Sequence, residues 1–141
     1  VITSDSAGTT TQFQLRGTLH EGAHKGKTVY LDFLIGQLHI TAPGQLLALK
    51  GRTFVLDGKQ NYAVLEDYDG AYSQNNRMIT RYTGGMGELQ IKYVRELTHM
   101  TVNASGYSYH PCIISGSFTT TIPAGSTQLE ILQGRFDFIY P

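Results

Sequence analysis

Two histidines four residues apart, with a carboxylate beside the first, are the arrangement in this chain best suited to chemistry. His20-Glu21-Gly22-Ala23-His24 matches the pattern H-E-x-x-H. On a helix, positions i and i+4 share a face, so both imidazoles reach one zinc and the glutamate between them can activate a bound water. A third ligand must come from elsewhere. The surroundings oppose that helix. Gly17, Gly22 and Gly26 punctuate the stretch, and a glycine inside a helix costs ~1 kcal/mol against alanine. The flanks, "FQLRGTL" and "TVYLDFLI", carry strand patterns, so the segment reads as a hairpin loop in which residues four apart do not reliably converge. His39 falls within a strand pattern and supplies no third-ligand phrase. The expectation is a loop with no catalytic metal and no cofactor.

Other candidates are weaker or of a different kind. Asp67 and Asp69 precede Gly70 as at the start of a calcium loop, but Ala71 stands at the fifth position and no glutamate at the twelfth, so an acidic turn is expected. There is no G-x-S-x-G, and "TGGMG" lacks the lysine and the strand-to-helix setting of a phosphate loop. Cys112 is the single cysteine, so no internal disulfide forms, and its place beside Ile113 and Ile114 suggests a small buried hydrophobe. Asn103-Ala104-Ser105 spells a glycosylation sequon. Tyrosine is the unusual resource, at 9 residues with no tryptophan. Tyr107, Tyr109 and His110 cluster in "SGYSYHP", and Tyr68 and Tyr72 flank the acidic turn. An exposed tyrosine offers a flat apolar face and a hydroxyl, which suits contact with a protein or a glycan. These five residues are the candidate binding site, although alternation sends about half of all tyrosines toward a core.

The elements that must position them follow from periodicity. The chain has 141 residues, the size of one domain. Its 11 basic and 11 acidic residues balance, so nothing steers nucleic acid or an anionic membrane surface. No apolar run approaches the ~20 residues of a transmembrane helix. Residues 1–11, "VITSDSAGTTT", are polar and read as a flexible leader, leaving 12–141 as a single domain. From there period two dominates. Phe13 and Leu15, then Val29, Leu31, Phe33 and Ile35, fall on one face each. The habit recurs at Phe54 and Leu56, at Tyr62 and Val64, at Leu89, Ile91 and Tyr93, at Phe118, Thr120 and Ile122, and at Leu129 and Ile131. Such alternation means half-buried strands. "APG", "DGK", "DYDG", "TGGMG", "IPAGS" and "QGR" read as turns between them. The fold class is therefore all-β, a single-domain antiparallel sandwich with a barrel as the alternative. Leu89, Tyr93, Leu97 and Met100 also fit a helical face, but Ile91, Tyr93 and Val94 are strand formers and "GGMG" opposes helix entry at Glu88. Apolar parity switches from odd at Leu129 and Ile131 to even at Phe136, Phe138 and Tyr140, which requires a bulge or bend at Gln133-Gly134.

In the second half, "GRTFVL", the aromatic-rich "NYAVLEDYDGAYS", the G-x-L-x-I strand at Gly87–Ile91, Ile114-Ser115-Gly116-Ser117-Phe118 and Gly134-Arg135-Phe136 follow one another. This order, over residues 51–138, resembles small secreted β-domain lipoproteins of the Bacteroidetes cell envelope, a family without an assigned function. The resemblance implies export, a β-sandwich and a lipid anchor on a cysteine upstream of Val1; it carries no catalytic residues. The resulting expectation is a non-enzymatic module, exported to the cell surface or beyond, that contacts a protein or glycan through its loops. One alternative is a filament subunit whose polar leader pairs with a neighbour's sheet edge, a homo-oligomer built by strand addition. The other is a small metallohydrolase using His20, Glu21 and His24. Dialysed protein is expected to hold far less than one zinc per chain; one tightly held zinc, lost with His20→Ala or His24→Ala, would favour the hydrolase.

Overall fold

The computed structural model describes residues 2–5, 7, 9–18, 28–69, 77–102 and 104–140. Ten strands occur among them: β1 (Ile2–Ser4), β2 (Thr10–Thr18), β3 (Thr28–Gly36), β4 (Thr53–Asp57), β5 (Asn61–Asp69), β6 (Arg77–Glu96), β7 (Thr101–Val102), β8 (Ser108–Tyr109), β9 (Cys112–Ala124) and β10 (Thr127–Tyr140). A 3-10 helix covers Pro43–Leu49. The main sheet is antiparallel in the order β1-β2-β3-β5-β6-β9-β10, with β4 also paired to β6, and β7 and β8 form a separate small hairpin. The chain is all-β, and the sheet curls into a half-barrel. Among the described residues no helix is long and apolar enough to cross a membrane.

The curl originates in β6. Its first part pairs with β5, from Asp69↔Arg77 to Ala63↔Gly85. From Met86 onward it pairs with β4 on one side and β9 on the other. One strand of 20 residues thus belongs to both halves of the sheet. The hand-over falls in "TGGMG", which was expected as a turn and is instead a bend inside a continuous strand. Glycine makes this bend available, since Gly84 has φ +78 and Gly87 φ +139, a region closed to most side chains. Gly85 is needed for another reason: a methyl there would meet Ala63 and Ile122 at 2.8 Å. The strand reading of residues 88–96 holds over the helical one. Once the sheet is bent, its two halves face each other, and Phe33 of β3 meets the edge of Phe118 of β9 at 4.9 Å between ring centroids.

The parity switch in β10 is a bulge. Ile131 lies opposite Thr120 and Gly134 opposite Phe118, so two residues of β10 face one of β9. Gly134 does not have positive φ; it is a glycine because the Phe118 ring lies over it, where a Cβ would overlap three ring atoms. The reverse pair, Gly116 with Phe136, is built alike, with the Phe136 ring over Gly116. The two G-x-F stretches therefore interlock, each glycine seating the other strand's ring. A two-residue turn at Gly125-Ser126, with Gly125 at φ +67, joins the strands.

Three local features differ from the sequence expectation. "APG" opens the 3-10 helix. Pro43 suits its first turn, and Gln45 Oε1 accepts from the Thr41 and Ala42 N–H groups at 2.7 and 3.3 Å. Leu46 and Leu49, three apart and hence on one face, are buried and plug one end of the core. The expected leader contributes β1: Ile2 is buried, and Ser4 Oγ lies 2.7 Å from Thr11 Oγ1 while donating to the Ile40 carbonyl at 3.0 Å. A run of hydroxyls gives no period-two pattern in the sequence, so this strand was not legible. His39 follows the end of β3 and lies in a loop rather than a strand. Cys112 is buried as expected; its thiol donates to the Pro43 carbonyl at 3.2 Å, and burial raises its pKa.

Replacing Gly134 with valine should destabilise the fold by about 1–3 kcal/mol, the usual cost of overpacking, when read by denaturant unfolding. Phe118→Leu in that background should recover part of the loss. Unchanged stability in Gly134→Val would show that the ring does not occupy that place.

A groove where the core runs out

Burial on the inner face falls off along the strands. On β3, Phe33 is 0% exposed and Leu31 7%, while Val29 is half-buried. On β2, Phe13 is buried and Leu15 half-buried; on β5, Ala63 is buried and Leu65 half-buried. Among the described residues, the end holding the 3-10 helix is plugged and the opposite end is not. What remains there is a groove of about 580 Å3, lined by Leu15, Val29, Leu31, Leu65, Tyr82, Leu129 and Ile131. Arg16, Glu130 and Arg135 line it as exposed residues, and Asp67 and Thr80 as half-buried ones. The volume falls in the usual ligand-site range of ~300–1,000 Å3, and an apolar lining with a few polar groups is the usual composition.

The other face of the same strands carries a polar and aromatic cluster. Glu66 Oε1 pairs with Arg81 Nε at 3.2 Å, and Tyr68 Oη donates to Glu66 Oε2 at 2.9 Å. Tyr30 meets Tyr68 edge-on at 5.1 Å between centroids. Asp32 is 5% exposed. Burial raises its pKa, against the lowering effect of hydrogen bonds from the Gln14 and Gln12 side chains. Its Oδ1 has no hydrogen-bond partner among the described residues. Burial and the hydrogen bond to Glu66 likewise raise the Tyr68 pKa. With both Glu66 oxygens engaged, the cluster reads as a structural network beside one buried carboxyl.

The expected tyrosine site is dispersed. Tyr68 lies opposite Met78 near the start of β6, whereas Tyr109 precedes β9, whose Cys112 lies opposite Glu96 at the far end of β6. Tyr107 is 72% exposed in the connection between β7 and β8, and Tyr109 is half-buried opposite Thr101. His110 Nδ1 lies 2.9 Å from the Leu97 carbonyl and 3.2 Å from that of His99. Carbonyls only accept, so Nδ1 carries the proton and the ring serves as a strut. Tyr72 lies outside the described residues, as do His20, Glu21 and His24. Asp67 and Asp69 belong to β5 and not to an acidic turn. No three His, Cys, Asp or Glu side chains converge on a metal position among the described residues. The groove escaped the sequence reading because each of its residues looks like core on its own strand.

No protein-family model, curated protein or solved structure matches the chain.

The two perturbed aspartates provide a test. Asp57, the last residue of β4, accepts from the N–H groups of Lys59, Asn61 and Gln60 in the turn that follows, which holds its pKa below 3.8. Its ionised form therefore stabilises the fold above 3.8, and that contribution is lost as pH falls through the lower folded value. Asp32 has the opposite sign: its ionised form costs stability at neutral pH, and acid relieves the cost down to 3.8. Carboxyl chemical shifts followed through acid should place the Asp57 midpoint below 3.8 and that of Asp32 above it. The reverse order would contradict the burial described for Asp32.

Proposed function

We propose that this protein is a non-enzymatic binding module of the cell envelope that holds its ligand in the groove at the open end of the half-barrel. The observation that carries the reading is the predominantly apolar lining supplied by β2, β3, β5, β6, β9 and β10. Carbon surface recognises apolarity and shape; it does not activate a nucleophile. It also favours a protein over a glycan, because sugar hydroxyls lose hydrogen bonds against such a wall. Export and an envelope address are supported by the resemblance of residues 51–138 to the secreted lipoproteins named above. Tyr107 stays exposed and could add contact area elsewhere, but the tyrosines are too scattered to form one platform.

The groove should bind an apolar dye such as anilinonaphthalene sulfonate in the folded state. Leu15→Lys and Leu129→Lys, on opposite walls, should each abolish the fluorescence gain with an unchanged far-UV circular dichroism spectrum. Dye binding that survives both substitutions would place the apolar site elsewhere and remove the basis of this reading.

A further inference from the structure

Among the described residues the hydrogen-bonded order ends at β10, so this strand pairs there with β9 alone and presents its other edge outward. That edge borders the groove. Leu129, Ile131 and Arg135 of β10 line it together with Leu15 of β2. A second cleft continues the same gap, with Phe136 and Phe138 across from Leu15. No ladder joins β2 to β10. The gap in the half-barrel is therefore bounded by a strand of 14 residues. Long strand edges template pairing with another chain, and native proteins usually shorten or cover them.

β1 already occupies one stretch of this gap. It pairs with the edge of β2 that faces away from β3, covers only Thr11–Phe13, and buries Ile2 inward. A strand is thus the form of chain this gap accommodates, with an apolar side chain, Ile2, turned into the core. Charged residues of β10 lie along the rim of the gap. Glu130, Arg135 and Asp137 alternate in sign and have no ion-pair partner among the described residues. An added strand complements them with a basic residue beside Glu130 or Asp137 and an acidic one beside Arg135.

We infer that the ligand is an extended segment of a partner polypeptide, which adds to the outer edge of β10 and fills the groove with alternate apolar side chains. This rests on the reading of the groove as the ligand site. Main-chain hydrogen bonds supply the affinity in such strand addition, and the pockets for alternate residues supply the selectivity.

The test uses the full chain and two probes. One is a short peptide alternating valine with lysine or glutamate; the other is the same peptide N-methylated at every amide, which removes the main-chain donors of both edges and keeps the side chains. The unmodified peptide should displace anilinonaphthalene sulfonate and shift the backbone resonances of β10, and the methylated one should bind at least about tenfold more weakly. Equal binding of the two peptides, or shifts confined to elements other than β10, would overturn strand addition. If the dye binds and neither peptide does, strand addition falls and the groove reading stands. If neither dye nor peptide binds, both fall.

Discussion

A single strand hydrogen-bonded on both sides, and in two different sheet regions, is the constraint from which the rest of this structure follows. β6 cannot serve β5 along its first part and both β4 and β9 along its second without bending. The bend needs backbone angles that Gly84 and Gly87 can adopt and a close approach that Gly85 allows. Because the strand bends rather than ends, the two halves of the sheet stay connected and are folded face to face. Phe33 then reaches Phe118 across the interior. The same curl carries β10 round toward β2 without bringing the two into a ladder. The groove is the remainder of a barrel that is not closed.

Packing then fixes where the core is dense and where it is not. The 3-10 helix presses Leu46 and Leu49 against one end, with the Cys112 thiol bonded to the Pro43 carbonyl. The interlocked glycine and phenylalanine pairs fasten β9 to β10 and bury Phe118 to 8% exposure. Nothing comparable covers Leu15, Leu65, Leu129 and Ile131 among the described residues, so apolar surface is left half-exposed in a concave place. Contiguous exposed apolar surface is uncommon on a soluble domain unless it serves an interaction.

Much of the fold was legible in the sequence because burial on one side of a pleated strand imposes period two. Phe13 with Leu15, Val29 through Ile35, and Leu89 with Ile91 announced their strands, and the parity switch announced the bulge before Gly134, whereas a register shift after Ile91 leaves Tyr93 exposed and Val94 buried. The reason for that glycine was not legible, since it depends on a ring carried by another strand. "TGGMG" reads as a turn in isolation; only the pairing of β6 on both sides shows it to be a bend. β1 was hidden among hydroxyl residues, and Ile40, whose carbonyl accepts from Ser4 Oγ, is distant in sequence. The groove was the least accessible of all. Its walls come from six strands, and no short stretch of sequence records that burial diminishes toward one end. The tyrosine cluster had the opposite character: conspicuous in sequence, yet spread to both ends of β6 in space.

Among the described residues the sheet is open along β10. In an edge strand, alternate backbone N–H groups point to the neighbouring strand and to solvent, whereas a strand inside a sheet has every N–H engaged. Amide hydrogen exchange of the unliganded chain tests this directly. Slow exchange is expected at nearly every residue of β9 from Ile113 to Ile122, and along β10 slow and fast exchange in alternation, interrupted at the bulge between Ile131 and Gly134. Uniformly slow exchange along β10 would mean that its outer edge is paired, that the barrel is closed, and that the groove is not a place where another chain can enter.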